Sequence, residues 1–357
     1  MAGEKQQLDW DEIKRFSMQV SNDIGAAMLG ALSYIGDRLG IFSAMAEAGA
    51  VTSAALAERT GLSERYLREW LSAMTAAGYV NYDASAKTYA MPAEHAMVLA
   101  RDDSPFFAGG FIEMIVPHVL IAPKVMASFK NGRGVSQSEY PPETWEAMER
   151  ASASIYRHQL IRKWLPTMPQ VIAKLTEGGS SLDVGCGSGR AAIAIASAFP
   201  KAQVFGFDAH HGSVERARAN AKAAGLGDRI KFEVVDCTRL PAAQFDFIST
   251  FDVVHDSVDP DALLKSIRAA LKPDGNYLMV EVNVSSNLED NINPMGRLMY
   301  SISTLYCMTT SLAHGGAGIG ACMGEAKARE LVAAAGFKHF RRLPIEDLFS
   351  ALYEIRV

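Results

Sequence analysis

The sequence predicts an α/β chain with a mostly parallel sheet whose last strand is antiparallel, preceded by an all-α, winged-helix region. Three observations indicate this arrangement. Short apolar strand patterns alternate with helical patterns from Ser180 onward, which is typical of a parallel sheet. A glycine-rich turn separates the first of these strands from its helix. Before residue 80, apolar residues recur mainly at helical spacing.

The composition is that of a folded chain of two or three domains. Its 357 residues are 49% hydrophobic and 21% charged, which argues against disorder. A net charge of -5 gives no electrostatic reason to expect nucleic acid or an anionic membrane as a partner. The four cysteines are far apart, as is typical of reduced thiols in a cytoplasmic protein. No apolar run reaches transmembrane length, and residues 1–7 show no signal-peptide pattern.

The N-terminal region predicts helices followed by a small winged unit. Residues 10–48 carry more apolar surface than one helical layer can bury, so they should pack on another domain or subunit. Residues 51–90 predict a helix–turn–helix and a β-hairpin wing. Four basic and four acidic residues balance there, whereas a helix that reads a DNA groove normally carries a basic excess. We therefore interpret the winged helix as a dimerisation element.

The following segment, 102–169, is rich in aromatic residues and methionine and is broken repeatedly by proline. From residue 180 the pattern alternates between strands and helices. Strands are predicted near 181–184, 202–207, 230–235, 245–250 and 277–281, with a terminal hairpin near 337–343 and 352–357.

The stretch 181–190 predicts a buried strand, a tight turn and the start of a helix. The turn contains Gly185, Gly187 and Gly189, which let the backbone bend sharply and lie against a ligand. The helix start then offers free N–H groups to a carboxylate or phosphate. A glycine turn alone is weak evidence, because it also fits a dinucleotide-binding motif.

Acidic residues at the ends of three successive strands help to identify the ligand that the glycine turn binds. Asp183 precedes the glycines, Asp208 ends the second strand and Asp236 ends the third. A carboxylate at the second position can accept hydrogen bonds from both ribose hydroxyls, and one at the third can accept from an adenine amino group. The alternative is that these acids merely cap helices.

This order of glycines and acids resembles the class I S-adenosylmethionine-dependent methyltransferases, which have a Rossmann-like sheet. The resemblance implies S-adenosylmethionine as the cofactor. The residues that it places around this cofactor are Asp183, Gly185, Gly187, Gly189, Asp208, Ala209, Asp236, Cys237, Thr250 and Phe251.

The whole chain is similar to small-molecule O-methyltransferases of plant and antibiotic-tailoring pathways. It is also similar to actinobacterial and fungal winged-helix methyltransferases of unassigned substrate, through the runs 305–308 and 311–316. The resemblance implies a homodimer with a helical and winged-helix dimerisation domain at 1–100. It further implies a helical linker at 101–170 that contributes to the substrate pocket, and a methyltransferase domain at 171–357 with a lid insert at 284–322.

The pair His255-Asp256 resembles the His-Asp pair of the plant-type enzymes, in which that histidine is the general base. Glu281 resembles the acid that holds the histidine ring in that family. An imidazole with a pKa of about 6.5 can take a hydroxyl proton at neutral pH, and a carboxylate behind it fixes the tautomer. Asp252, His255 and Asp256 alone make too small a ligand cluster for a hard cation, so no metal is expected.

We expect a small-molecule substrate, with neither nucleic acid nor membrane as a partner. Candidate substrate-binding residues are Tyr140, Trp145, Tyr156, Met299, Tyr300 and His314. The preferred hypothesis is methyl transfer to a hydroxyl with His255 as the base. Alternatives are a thiol or thioether acceptor, a cofactor-sensing winged-helix transcription regulator, and a nicotinamide dehydrogenase.

Overall fold

The structure, a computed structural model, describes residues 8–357. Two compact units divide the chain, one ending at Val116 and the other spanning Pro117–Val357. The domain boundaries predicted at 100 and 170 stay predictions. The expectation that residues 1–7 do not form a signal peptide concerns residues outside the described range. Within that range no single helix is long and apolar enough to cross a membrane, although one pair of helices bent by 56° passes on length and composition.

The first unit is helical apart from a short hairpin. Asp9 caps its long first helix by accepting from the backbone N–H groups of Asp11 and Glu12. Its elements are α1 (Trp10–Arg38), α2 (Ile41–Ala48), α3 (Ser53–Thr60), α4 (Glu64–Ala76), β1 (Asn81–Asp83), β2 (Thr88–Ala90) and α5 (Ala93–Leu99), followed by α6 (Gly109–Leu120), which runs into the second unit.

The helix–turn–helix and its wing are confirmed. Helix α4 packs on α1 and α2, because the Trp70 indole N–H donates to the carbonyl of Leu32 at 2.8 Å and its ring meets Phe42 edge to face. The strands of the wing pair antiparallel, with Tyr82 opposite Tyr89.

The second unit opens with helices. These are α7 (Ala122–Asn131), α8 (Glu143–Ile155), a π-helical stretch (Tyr156–Trp164) and α9 (Pro169–Glu177). Of these, the end of α8, the π-helical stretch and α9 pack on one face of a sheet. The sheet and its helices follow as β3 (Ser180–Val184), α10 (Arg190–Ala198), β4 (Gln203–Asp208), α11 (His211–Ala223), β5 (Ile230–Val234), β6 (Phe245–Phe251), α12 (Pro260–Ala270), β7 (Leu271–Val282), α13 (Pro294–Leu305), α14 (Cys307–Ala313), α15 (Gly324–Ala334), β8 (His339–Arg342) and β9 (Ser350–Arg356).

The seven strands lie in the order β5-β4-β3-β6-β7-β9-β8. Strands β3 to β7 pair parallel, while β9 pairs antiparallel with both β7 and β8. The predicted sheet with a reversed last strand is therefore confirmed. Neighbouring residues of one strand point to opposite faces, so Phe247 joins the core under α9, α10 and α11, and Ile248 joins the core under α12 and α15.

The segment between β7 and α15 packs onto the loop after β6. The insert predicted at 284–322 contains the helices α13 and α14, and the non-helical backbone of Tyr306 separates them. A glycine-rich run, 314–320, follows α14. Its Ala317 N–H donates to the carbonyl of Val258, and its Gly320 N–H donates to the carbonyl of His255. This run is therefore bound to the loop that carries His255.

Candidate active site

The glycine turn lies where β3 ends and α10 begins. Gly187 adopts a φ of +50°, which favours glycine, and a Cβ added there would meet nothing within 4 Å. A Cβ on Gly189 would come within 2.6 Å of the Phe232 ring. Gly187 therefore borders open space, while Gly189 permits close packing of the turn on the sheet. The turn is bound to the neighbouring strand, because the N–H groups of Gly185 and Cys186 donate to the carbonyl of Phe207.

Two of the predicted acids are enclosed beside this turn. Asp183 is buried and accepts from the Ser249 hydroxyl at 3.4 Å, and burial raises the pKa of its carboxyl to about 8. Asp208 accepts from the N–H of His210 at 2.8 Å through one oxygen and from the N–H of Gly187 at 2.9 Å through the other. Burial also raises the pKa of Asp208. The carboxyl at the end of β4 is thus oriented by backbone donors from both sides.

The third acid is in a different environment. Asp236 is exposed after β5, and the hydroxyl and N–H of Thr238 donate to its Oδ1, which lowers its pKa. Ala209 is exposed beside Asp208, and Cys237 is half-buried with a pKa raised to about 12 by burial. Since β5, β4 and β3 are parallel neighbours, the predicted cofactor residues of all three strand ends share one edge of the sheet.

The two predicted cofactor residues at the end of β6, Thr250 and Phe251, have different surroundings. Thr250 is fully buried and its hydroxyl is 2.7 Å from that of Tyr277, so its side chain lies in the core. The ring of Phe251 packs 4.8 Å from that of Tyr156 and 6.3 Å from that of Trp164. The π-helical stretch therefore places a predicted substrate residue, Tyr156, against a predicted cofactor residue.

The predicted catalytic residues lie together just beyond β6. His255 Nδ1 is 2.5 Å from Glu281 Oε2, and the second carboxylate oxygen of Glu281 accepts from the N–H of Val254 at 3.0 Å. His255 Nε2 is 3.1 Å from Asp256 Oδ1. The loop begins at Asp252 with a φ of +55°, a strained conformation for a residue other than glycine.

Both imidazole nitrogens of His255 thus face carboxylates in a buried setting. Burial opposes a charge on the ring, but the carboxylates of Asp256 and Glu281 outweigh it and raise the pKa of His255 well above its ordinary value. The two carboxylates therefore favour the protonated ring, and the ring accepts a proton only when Nε2 has lost its own.

Aromatic side chains cover this region from α8 and the insert. The ring of Trp145 lies 6.0 Å from that of His210 and 6.4 Å from that of Tyr306. Tyr140 packs edge to face on Tyr306 at 5.2 Å, and its hydroxyl donates to the carbonyl of Leu305. Trp145 therefore connects the strand end that carries Asp208 to the insert.

The remaining predicted substrate residues are dispersed along the insert. Met299 is buried on α13, and the Tyr300 hydroxyl accepts from the amide of Asn291 at 3.3 Å. His314 is exposed at the end of α14.

Two further residues lie beside the predicted site residues, although no local sequence pattern assigned them a role there. Glu149 of α8 accepts from Arg190 at 3.0 Å and from the amide of Asn220 at 2.9 Å, and Asn220 also donates to the carbonyl of Ser188 within the glycine turn. Cys307, the first residue of α14, places its thiol within 4.8 Å of the facing atoms of His255 and Asp256. Both depend on long-range packing, which no local pattern encodes.

Comparison with known proteins adds domain matches and a shared fold. A family model described as an Rv2258c-like winged HTH domain matches residues 27–101, and one described as a methyltransferase domain matches residues 175–336. Methyltransferase GfsG of Streptomyces halstedii is 30% identical over 118 residues, which cover 32% of this chain and 42% of that protein. The chain spans between 35% and 42% of the length of the first three curated relatives.

Two solved structures share the fold over nearly the whole chain. The mitomycin 7-O-methyltransferase MmcR superposes with a TM-score of 0.70 at 22% identity, covering 97% of this chain and 99% of that one. Human N-acetylserotonin methyltransferase, solved in complex with SAM, gives a TM-score of 0.64 at 18% identity and covers 98% and 99% of the two chains.

Proposed function

We propose, from the premise that this chain is an S-adenosylmethionine-dependent methyltransferase with an N-terminal winged helix-turn-helix domain, that it methylates a hydroxyl of a small molecule. The observation that supports this most is the buried pair of His255 and Glu281, 2.5 Å apart beside the strand ends of the predicted cofactor site. Such a pair holds an imidazole in one tautomer, which suits it to take a proton from an acceptor.

The residues at the sheet edge fit S-adenosylmethionine. The open space at Gly187 admits a ligand against the backbone, and the oriented carboxylate of Asp208 has lone pairs left for ribose hydroxyls. Asp183 offers a second carboxylate for a cationic group. When bound, this cofactor supplies a methyl group on a positively charged sulfur. We propose that Asp236, Ala209, Cys237, Phe251 and the backbone at Thr250 complete its site.

His255 performs the proton chemistry in this proposal. Glu281 accepts from Nδ1, so the free lone pair of the neutral ring is at Nε2. Asp256 occupies that direction now, and an acceptor hydroxyl at Nε2 replaces the contact with Asp256. Once Nε2 has released its own proton to solvent, the hydroxyl donates its proton to Nε2, and the resulting imidazolium is stabilised by Glu281. Aligning the acceptor supplies much of the remaining rate.

The acceptor site that we propose lies under the aromatic side chains near this loop. Trp145 and Tyr156 adjoin the cofactor edge, and Tyr140, Met299, Tyr300 and His314 remain further candidates on the surrounding elements. A small, partly apolar molecule fits these walls, because aromatic surface gains most from covering apolar area. MmcR, whose fold this chain shares, is named for methylating a small molecule.

We also propose a homodimer formed through the first unit, in a reducing cytoplasm. Helix α1 exposes an apolar face on which Phe16 is 60% and Ile24 58% accessible. Such a face is typical of an interface, and a second α1 has matching chemistry. All four cysteines are unpaired thiols, which suits a reducing compartment.

One observation favours a second candidate, an acceptor thioether. The raised pKa of His255 favours the protonated ring, which is not a base, and a thioether has no proton to lose. In that case His255 serves as a structural cation between two carboxylates. Flat dependence of the rate on pH would support this candidate over the hydroxyl acceptor.

The test uses S-adenosylmethionine with a labelled methyl group, the full chain and a panel of small hydroxyl and thioether compounds. The hydroxyl proposal requires label in an ether product and a pH-dependent rate. Label in a sulfonium product would replace it with the second candidate. Tight binding of the cofactor with no label transferred to any compound would contradict the proposed activity and indicate a protein that only binds the cofactor.

A further inference from the structure

A compact set of nitrogen, oxygen and sulfur ligands lies on the Nε2 side of His255. We propose that His255 Nε2, Asp256 Oδ1 and Cys307 Sγ bind a zinc ion, and that the ion inhibits methyl transfer by occupying the nitrogen of the base. Binding of the metal itself stands independently of the proposed function, and only the inhibition depends on it.

The three ligand atoms are close enough to share one ion. All lie within 4.8 Å of one another, and Nε2 is 3.1 Å from Asp256 Oδ1. Tetrahedral zinc, with bonds of about 2.0–2.3 Å, holds its ligand atoms roughly 3.3–3.8 Å apart. The observed limit of 4.8 Å exceeds this range by about 1 Å, so the ligand side chains have to move closer together when an ion binds.

The ligand types select zinc over hard cations. A thiolate and an imidazole suit zinc, whereas calcium and magnesium prefer oxygen ligands. Three protein ligands leave a fourth position for water, as in open zinc sites. The Asp256 side chain is 23% exposed, which gives the ion a path to the site. Cys307 loses its proton when the metal binds.

The surrounding contacts match those of a metal-bound histidine. Glu281 accepts from Nδ1 at 2.5 Å, which orients the ring with Nε2 toward the ion, as carboxylates do for zinc-binding histidines. Asp256 Oδ1 is buried and lies 3.1 Å from His255 Nε2, so this carboxylate already faces the position proposed for the metal.

A neighbouring set, Asp252, His255 and Glu281, is less suited to a metal. It would use Nδ1, whose 2.5 Å contact with Glu281 is too short to admit an ion between the two atoms. Its other ligands are both carboxylates, so it lacks the sulfur that distinguishes the Cys307 set. The proposal therefore concerns the Nε2 side only.

The first experiment titrates cobalt(II), a spectroscopic substitute for zinc, into the metal-free full chain. One equivalent should produce the visible bands of tetrahedral cobalt and a thiolate-to-cobalt charge-transfer band, and zinc should remove both. Cys307→Ser should lose the charge-transfer band, while Cys322→Ser, a half-buried thiol outside the set, should keep it. Glu281→Gln should weaken zinc binding by about 10–100-fold.

A charge-transfer band that persists in Cys307→Ser, or no band in the wild type, overturns the site. X-ray absorption of the zinc-loaded wild type gives an answer that needs no variant, because one sulfur at about 2.3 Å is required and its absence contradicts the proposal.

The second experiment measures methyl transfer with and without zinc. The wild type should be inhibited reversibly by one equivalent, and the rate of Cys307→Ser should be the same with and without zinc at that concentration. Cobalt binding without any methyl transfer would support the metal site and contradict the proposed function. Zinc binding with an unchanged wild-type rate would overturn the inhibition.

Discussion

His255 Nδ1 lies 2.5 Å from Glu281 Oε2, and only 3% of each side chain is accessible. The two residues come from different elements, the loop after β6 and the end of β7, which are parallel neighbours in the sheet. A second oxygen of Glu281 is held by the N–H of Val254. The ring therefore has a fixed orientation, and Nε2 is the nitrogen that faces Asp256.

Replacing the base should reduce methyl transfer without abolishing binding of the cofactor. His255→Ala should lower kcat by roughly 10²–10⁴-fold, since general base catalysis contributes about that much. His339→Ala, an exposed histidine on β8, should leave kcat unchanged. Affinity for S-adenosylmethionine, measured by calorimetry, should be similar in all three proteins. An unchanged kcat in His255→Ala would remove the base from the mechanism.

The pH dependence of the rate should reflect the carboxylates around His255. Only the neutral ring accepts a proton, and its pKa is raised well above the ordinary value, so kcat/KM should increase with pH beyond the usual histidine range. Asp256→Asn removes one of these charges, lowers the pKa and should move the rising limb to lower pH. Asp261→Asn, an exposed acid on α12, should not move it. A limb that stays in place or moves upward in Asp256→Asn would contradict this account.

Binding of the cofactor near neutral pH should release protons. Burial raises the pKa of Asp183 to about 8, so its carboxyl is largely protonated before binding. A nearby positive charge of S-adenosylmethionine favours the carboxylate, and the proton leaves. Calorimetry in buffers of different ionisation enthalpy measures the number released. Asp183→Asn should abolish this release, and Asp236→Asn, whose carboxyl is already ionised, should not change it. Equal proton counts in wild type and Asp183→Asn would exclude the assignment.

A methyl group at Gly187 should affect binding more than stability. Both Gly187 and Gly225 have positive φ and open space where a Cβ would lie. An alanine at either position should cost about 1–2 kcal/mol of folding free energy from backbone strain. Only Gly187→Ala should also weaken S-adenosylmethionine binding, because its Cβ enters the space beside Asp208. Thermal unfolding measures the loss of stability, and calorimetry measures the affinity for the cofactor. Equal affinities for the two variants would contradict binding of the cofactor at the turn.

The apolar face of α1 should hold two copies of the chain together. Light scattering after gel filtration should give a dimer for the wild type and a monomer for the double variant Phe16→Glu and Ile24→Glu, because burying carboxylates in an apolar interface is unfavourable. Phe129→Glu changes an aromatic residue of α7 that is even more exposed, at 80%, and should leave the dimer intact. A monomeric wild type would contradict the dimer directly.

Much of the fold and of the cofactor edge could be predicted from the sequence, because these depend on local patterns. Alternating strands and helices imply a parallel sheet, and a parallel sheet brings the ends of its strands to one edge. Asp183 and Asp208 are therefore neighbours of the glycine turn in the structure, as predicted. The likeness of His255 and Glu281 to a known pair anticipated their contact across 26 residues.

Only the tertiary structure decided what surrounds the histidine. Asp256 faces Nε2, Cys307 approaches from α14, and the Thr250 side chain is buried in the core. Periodicity encodes an element and the face that it buries, but it does not encode which side chains of distant elements meet. Those contacts depend on how the insert breaks at Tyr306 and packs on the loop after β6, so they arise from long-range packing.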